Sequence, residues 1–246
     1  MLLHGIDFSG GDNPAGKIWV ATRDGGKPVS LRRGFDHHAI VELVAASLSD
    51  GQSHLWRIDA PFGVALETLA AHDIEPSWSA MASWLGSFGS PREWRTECRG
   101  LDRSEPRRIT DREAHTPMAP QNLRVFKQTW SVITRILVPL AARGVRIEPV
   151  AGPPHARVVV AEGCPASALR LRAWPARGYK GDGEPPRERR REIVAELRRG
   201  NVNIPPNLAT MAIDDAEGDG IDALLLVAAP TQTVVPEAAL VEAWVY

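Results

Sequence analysis

Cysteine is nearly missing from this 246-residue chain: two thiols, Cys98 and Cys164, cannot build a disulfide framework or a thiolate metal centre. Long hydrophobic runs are missing too. The longest near the end covers residues 223–229, where a membrane-spanning helix needs about 20 residues. No basic leader followed by a long apolar core opens the chain, so we expect a cytoplasmic protein. The seven histidines, including the His37-His38 pair, show no zinc spacing with acids or cysteines. Ser9 and Ser167 lack the setting of a nucleophile elbow, which argues against serine hydrolase chemistry. Internal repeats and long low-complexity tracts are absent.

What remains is an ordinary globular composition, 43% hydrophobic and 24% charged, with a formal net charge of -1. The length suits a single domain over residues 1–246 with an insertion at 73–143. Charge is unevenly spread. Residues 99–135 carry eight Arg/Lys against four Asp/Glu, and 187–199 carry six against three, whereas 214–246 carry seven acids and no base. Such a layout suits a polyanion held at one place and a cation at another, or equally a set of solvated helix faces.

Residues 2–8, 17–21 and 28–35 read as strands joined by Gly-, Asp- and Asn-rich turns, an antiparallel meander. Asp36 can cap a helix over 37–48, and 54–60 reads as a fourth strand. A strand, a helix and a return strand make a crossover, so the fourth strand should lie parallel to the first. Residues 64–72 look helical, 73–121 irregular, and 122–142 a long helix with Arg124, Gln128, Ser131 and Arg135 in one polar stripe. Residues 157–162 read as a buried strand, with a helix opening at Pro165. Residues 177–186 form a polar loop holding Tyr179-Lys180-Gly181, followed by a basic, surface-lying helix over 187–199. The last strong element is a helix from Asp219 to Pro230.

Three of the strands end on an acid: Asp7, Asp59 and Glu162. The last helix begins with Asp219 and Asp222, three residues apart and therefore on one face. A carboxylate in the middle of an apolar strand is costly unless a cation or donors meet it. Hard divalent cations such as Mg²⁺ or Mn²⁺ take oxygen ligands of this kind, and paired ions support phosphodiester cleavage. Arg99, Arg103, Arg107, Arg108 and Lys127 could hold phosphates, or be neutralised by Asp102, Glu105, Asp111 and Glu113. The eight tryptophans serve core packing better than base stacking.

Gly5-Ile6-Asp7-Phe8-Ser9, Ile58-Asp59-Ala60-Pro61, Cys98-Arg99-x-x-Asp102-Arg103, Ala161-Glu162-x-x-Pro165 and Asp219-x-x-Asp222-Ala223-Leu224 together resemble a family of uncharacterised predicted nucleases, the domain of unknown function 429 family. The last helix is also similar to that of Holliday-junction resolvases. The resemblance implies an α/β, ribonuclease H-like mixed sheet, its first three strands antiparallel and the rest parallel, flanked by helices and carrying a helical or irregular basic insertion. It further implies that Asp7 bridges the metals, that Asp59 is the fourth-strand ligand, and that Asp222, helped by Asp219, completes the site. Glu162 matches a family motif as a possible additional acid.

The expected function is therefore a metal-dependent nuclease using Mg²⁺ or Mn²⁺ on nucleic acid. Two competitors stand beside it. Asp7-Phe8-Ser9-Gly10-Gly11 could cradle a phosphate, as in phosphotransferases of the actin-like ATPase class, although a second lobe and second phosphate loop are missing. The other competitor is a non-catalytic nucleic-acid or protein-binding module.

Overall fold

Strand β1 (Leu2–Asp7) is the centre from which the sheet is built outward. On one side β2 (Ile18–Asp24) and β3 (Ser30–Phe35) follow as the expected antiparallel meander. On the other, β4 (His54–Asp59) pairs parallel with β1. The later strands β5 (Arg146–Glu148) and β6 (Val158–Gly163) extend that parallel half, giving the order β3-β2-β1-β4-β6-β5. This is a computed structural model describing residues 1–101, 104–229 and 235–246.

Helix α1 (His37–Ala46) makes the crossover into β4, and the Asp36 carboxylate caps it by accepting from the Ala39 N–H at 2.7 Å. Helix α2 (Leu66–Ala71) follows as expected. The segment 73–121, read as irregular, instead holds three helices: α3 (Trp78–Gly86), α4 (Pro91–Leu101) and α5 (Ile109–Glu113). Their apolar positions are few but correctly spaced. Trp78, Met81, Ala82 and Leu85 are buried along α3, and Trp94 and Cys98 along α4. The intervening Ser, Gly and charged residues hide that period in the sequence.

The expected long helix starts later, at Phe126, and is interrupted. It runs as α6 (Phe126–Val132), a π turn (Ile133–Leu137) and α7 (Val138–Ala142). Pro139 has no N–H to continue the ladder, and the Val138 N–H reaches five residues back to the Ile133 carbonyl. The second half adds α8 (Pro165–Leu171), α9 (Glu184–Arg199), α10 (Pro206–Asp214), α11 (Asp219–Leu226) and the short α12 (Ala239–Glu242).

Alternation along the strands divides two cores. Ile6, Val20, Trp56, Ile58 and Val160 face the core that includes α1, α3 and the π turn. Trp19, Ala21 and Leu31 face the other, built on α9, α10 and α11. By the same alternation Gly5, Asp7, Arg57 and Asp59 lie on the α11 side. No helix among the described residues is long and apolar enough to cross a membrane.

Candidate metal centre

Two glycines seat α11 across the sheet. A Cβ on Gly5 would stand 2.2 Å from the Ala223 carbonyl oxygen, and one on Gly163 would stand 2.5 Å from the Leu226 side chain. The helix therefore lies nearly on the backbones of β1 and β6. Its polarity is matched at both ends. Arg57 donates to the Leu226 carbonyl at the C-terminus (3.0 Å), and Asp215 accepts from the Gly220 N–H at the N-terminus (2.9 Å). Ile221, Leu224 and Leu225 are fully buried, worth about 1.5–3 kcal/mol each.

This seating brings the first turn of α11 to the carboxyl ends of β1 and β4, where Asp7 and Asp59 are register partners. Asp7, Asp59 and Asp222 each offer an oxygen within 4.8 Å of the other two. The sequence therefore names all three members of the cluster. Asp219, expected as a fourth ligand, is outside it. Its carboxylate is half-buried at the rim, 3.9 Å from the Lys180 amine.

The electrostatics show a surplus of negative charge. Burial, then Asp222, push Asp59 up to about 8, with Lys180 opposing. Burial also raises Asp7 well above the usual carboxylate range, reinforced by Asp222, Asp219 and Asp59, and raises Asp222 against the pull of Lys180. Asp219 rises to about 6, chiefly by burial.

A cation that no sequence motif marks already reaches this cluster. Lys180 Nζ lies 2.6 Å from Asp222 Oδ2, and the Tyr179 hydroxyl donates to Asp222 Oδ1 at 2.7 Å. Their loop is held rigidly. Buried Arg190 on α9 donates to the carbonyls of Tyr179 (2.6 Å), Gly181 (3.1 Å) and Ile213 (2.6 Å). The Gly181 N–H donates to the Ala216 carbonyl. Gly218, at φ +78°, lies under the Tyr179 ring and the Lys180 stem, where a Cβ would crowd both. The only signal in the sequence was a Tyr-Lys-Gly loop ahead of a basic helix.

Other expected site residues have different partners. Arg108 is buried and is not presented to a substrate backbone. It grips Glu162 through both terminal nitrogens (2.6 and 2.7 Å) and Asp111 at 2.8 Å. Glu162 is thereby committed to Arg108 and to the Phe62 N–H (2.8 Å) rather than to a metal. Arg107 donates to the carbonyls of Asp111 and Thr116, a loop clamp. Lys127 stands 3.9 Å from Asp12, Arg99 is exposed on α4, and Arg103 lies outside the described residues.

The Ser9-Gly10-Gly11 turn, weighed above as a phosphate cradle, is not open to a ligand. Instead it is packed against α6. A Cβ on Gly10 would stand 2.3 Å from the Lys127 backbone. Gln128 donates to the Phe8 carbonyl and Ser131 to the Gly10 carbonyl, so the middle of that helix's polar stripe is spent on the turn.

No protein-family model, curated protein or solved structure matches this chain. The geometry therefore carries the functional reading by itself. Three carboxylates from three elements, which burial and mutual repulsion make costly to ionise beside one lysine, form a ligand set that a divalent ion could occupy in place of their protons. Beside them opens a cavity of about 350 Å³, with Asp59, Asp222, Tyr179 and Lys180 in its wall.

Proposed function

We propose that the chain is a divalent-metal-dependent nuclease with a ribonuclease H-like sheet, related to the predicted-nuclease family whose motifs it resembles. The observation that carries this reading is the convergence of Asp7, Asp59 and Asp222 within 4.8 Å at the carboxyl ends of two parallel strands. The antiparallel-then-parallel strand pattern and the acid-bearing α11 are consistent with it.

In this reading Asp7, Asp59 and Asp222 hold Mg²⁺ or Mn²⁺, and Asp219 stands at the rim. The ion would supply an activated water and stabilise the charge that develops on the phosphate oxygens. Tyr179 holds one oxygen of Asp222 in place, leaving the other to the cation. Lys180, half-exposed on the Arg190-anchored loop, is positioned to pair with a substrate phosphate when it leaves Asp222. Nucleic acid, DNA or RNA, is the proposed partner.

One observation favours a second reading. With Lys180 on Asp222, the cluster contains its own cation, as in a module that keeps the fold without turnover. The phosphotransferase reading loses support because the Ser-Gly-Gly turn is filled by α6. Calorimetric titration with Mn²⁺, paired with cleavage assays on labelled oligonucleotides, tests the proposal. Mn²⁺ binding and cleavage that both vanish in Asp7→Asn support it. Full cleavage by Asp7→Asn refutes it, and Mn²⁺ binding without cleavage favours the non-catalytic module.

A further inference from the structure

The cavity beside the acid cluster has walls of a different chemistry from its acidic end. Pro61, Met118, Val125 and Pro165 give it apolar faces, while Arg124 brings a hydrogen-bonding group. Asp59, Asp222 and Lys180 belong to the same wall. One open pocket thus joins an acidic, lysine-bearing end to a largely apolar wall. Its volume of about 350 Å³ is near the lower limit for ligand sites, room for one nucleoside and not for two stacked ones.

We propose that this cavity receives a single unstacked nucleoside of the substrate, so that the chain acts on single-stranded ends or unpaired nucleotides and not on intact duplex. This rests on the metal-dependent reading above. The recessed position of the acids supports it. Asp222 is 2% and Asp7 8% exposed, so a phosphate must enter a depression to meet them. A flexible strand bends its backbone inward at little cost. A paired nucleotide must first leave its stack, which costs a few kcal/mol. The apolar faces then cover the base that has lost its neighbours, and exposed Arg124 meets its polar edge.

Calorimetry on the full chain tests this, with and without Mn²⁺. The probes are inorganic phosphate, a nucleoside 5′-monophosphate, a single-stranded oligonucleotide and the matching blunt duplex. Val125→Trp and Met118→Trp, two independent variants, fill the chamber without touching a carboxylate. The monophosphate and the single strand should bind at least tenfold tighter than inorganic phosphate and duplex. Both variants should erase that margin while retaining Mn²⁺ affinity. A preference for the free monophosphate over the single strand would assign the cavity to a mononucleotide; the reverse would assign it to a strand end. Nucleotide binding no tighter than phosphate, duplex binding equal to single strand, or margins unchanged in both variants would each overturn the inference. Failure of the metal reading appears separately, as no heat with Mn²⁺ alone. The metal-free titrations then still decide whether the chamber takes a nucleoside.

Discussion

Gly5 on β1 and Ala223 on α11 approach so closely that no side chain fits between them, a Cβ standing 2.2 Å from the Ala223 oxygen. Asp222 is the next residue toward the N-terminus of that helix, so the same contact sets where its carboxylate lies relative to Asp7. Gly5→Ala should cost about 1–3 kcal/mol or more by forced overpacking. Because relief requires α11 to lift, Mn²⁺ affinity should fall as well. Urea denaturation and Mn²⁺ calorimetry measure both, and unchanged values in both would refute the link.

Asp7→Asn removes one of three mutually repelling acids. Without metal its melting temperature should equal or exceed that of the unsubstituted chain. The stabilisation by Mn²⁺, about 2.7 kcal/mol at a hundredfold excess over Kd, should disappear. Thermal melts with and without Mn²⁺ read out the two effects, and a retained metal-induced rise would place the ion elsewhere.

Arg108 is the hub of a buried network with Glu162 and Asp111. Arg108→Met should destabilise by about 3–5 kcal/mol because it leaves buried carboxylates uncompensated. Adding Glu162→Gln should recover part of the loss. A cost below about 1 kcal/mol in chemical denaturation would show that the network is solvated and not structural.

At the far end of β1, His4 hydrogen-bonds to Thr22 and His54 (2.9 Å each) and stacks on Trp56. Burial first, then His54 and Arg32, push its pKa down to about 3 from the usual 6.5, with Asp50 opposing. Between those values the unfolded chain binds a proton that the folded one does not, so His4 lowers stability as pH falls from about 6.5. The raised Asp59 acts in the opposite sense, lowering stability as pH rises toward 8. Comparing His4→Gln with the parent at pH 7.5 and pH 5 isolates the histidine. The variant should lose less stability on acidification, and parallel losses would refute the assignment.

The strands and their terminal acids were legible because alternation and a carboxylate before a turn are local signals. Asp7 and Asp59 could be named from them, and Asp222 from its three-residue spacing to Asp219 at the start of a helix. Arg146–Glu148 is too short to show a period, and Pro206–Asp214 was passed over. Lys180 was illegible for a different reason: its partner is 42 residues away, and only the Arg190 anchor turns a polar loop into a fixed arm. The pairing of Arg108 with Glu162 across 54 residues is likewise invisible in a linear reading, which sees only a basic run and a strand-ending acid.

Helix α9, the densest basic stretch, has its charges already matched. Arg187 pairs with Asp214, Arg189 with Glu192, Arg191 with Glu184 and Glu188, and Arg199 with Glu196, while Arg190 and Arg198 are bound to carbonyls. A polyanion laid along it would find few unpaired arginines, so few of its phosphates would be neutralised and few of its condensed counterions released. Any grip the molecule has on nucleic acid through this face would therefore weaken only shallowly with added salt.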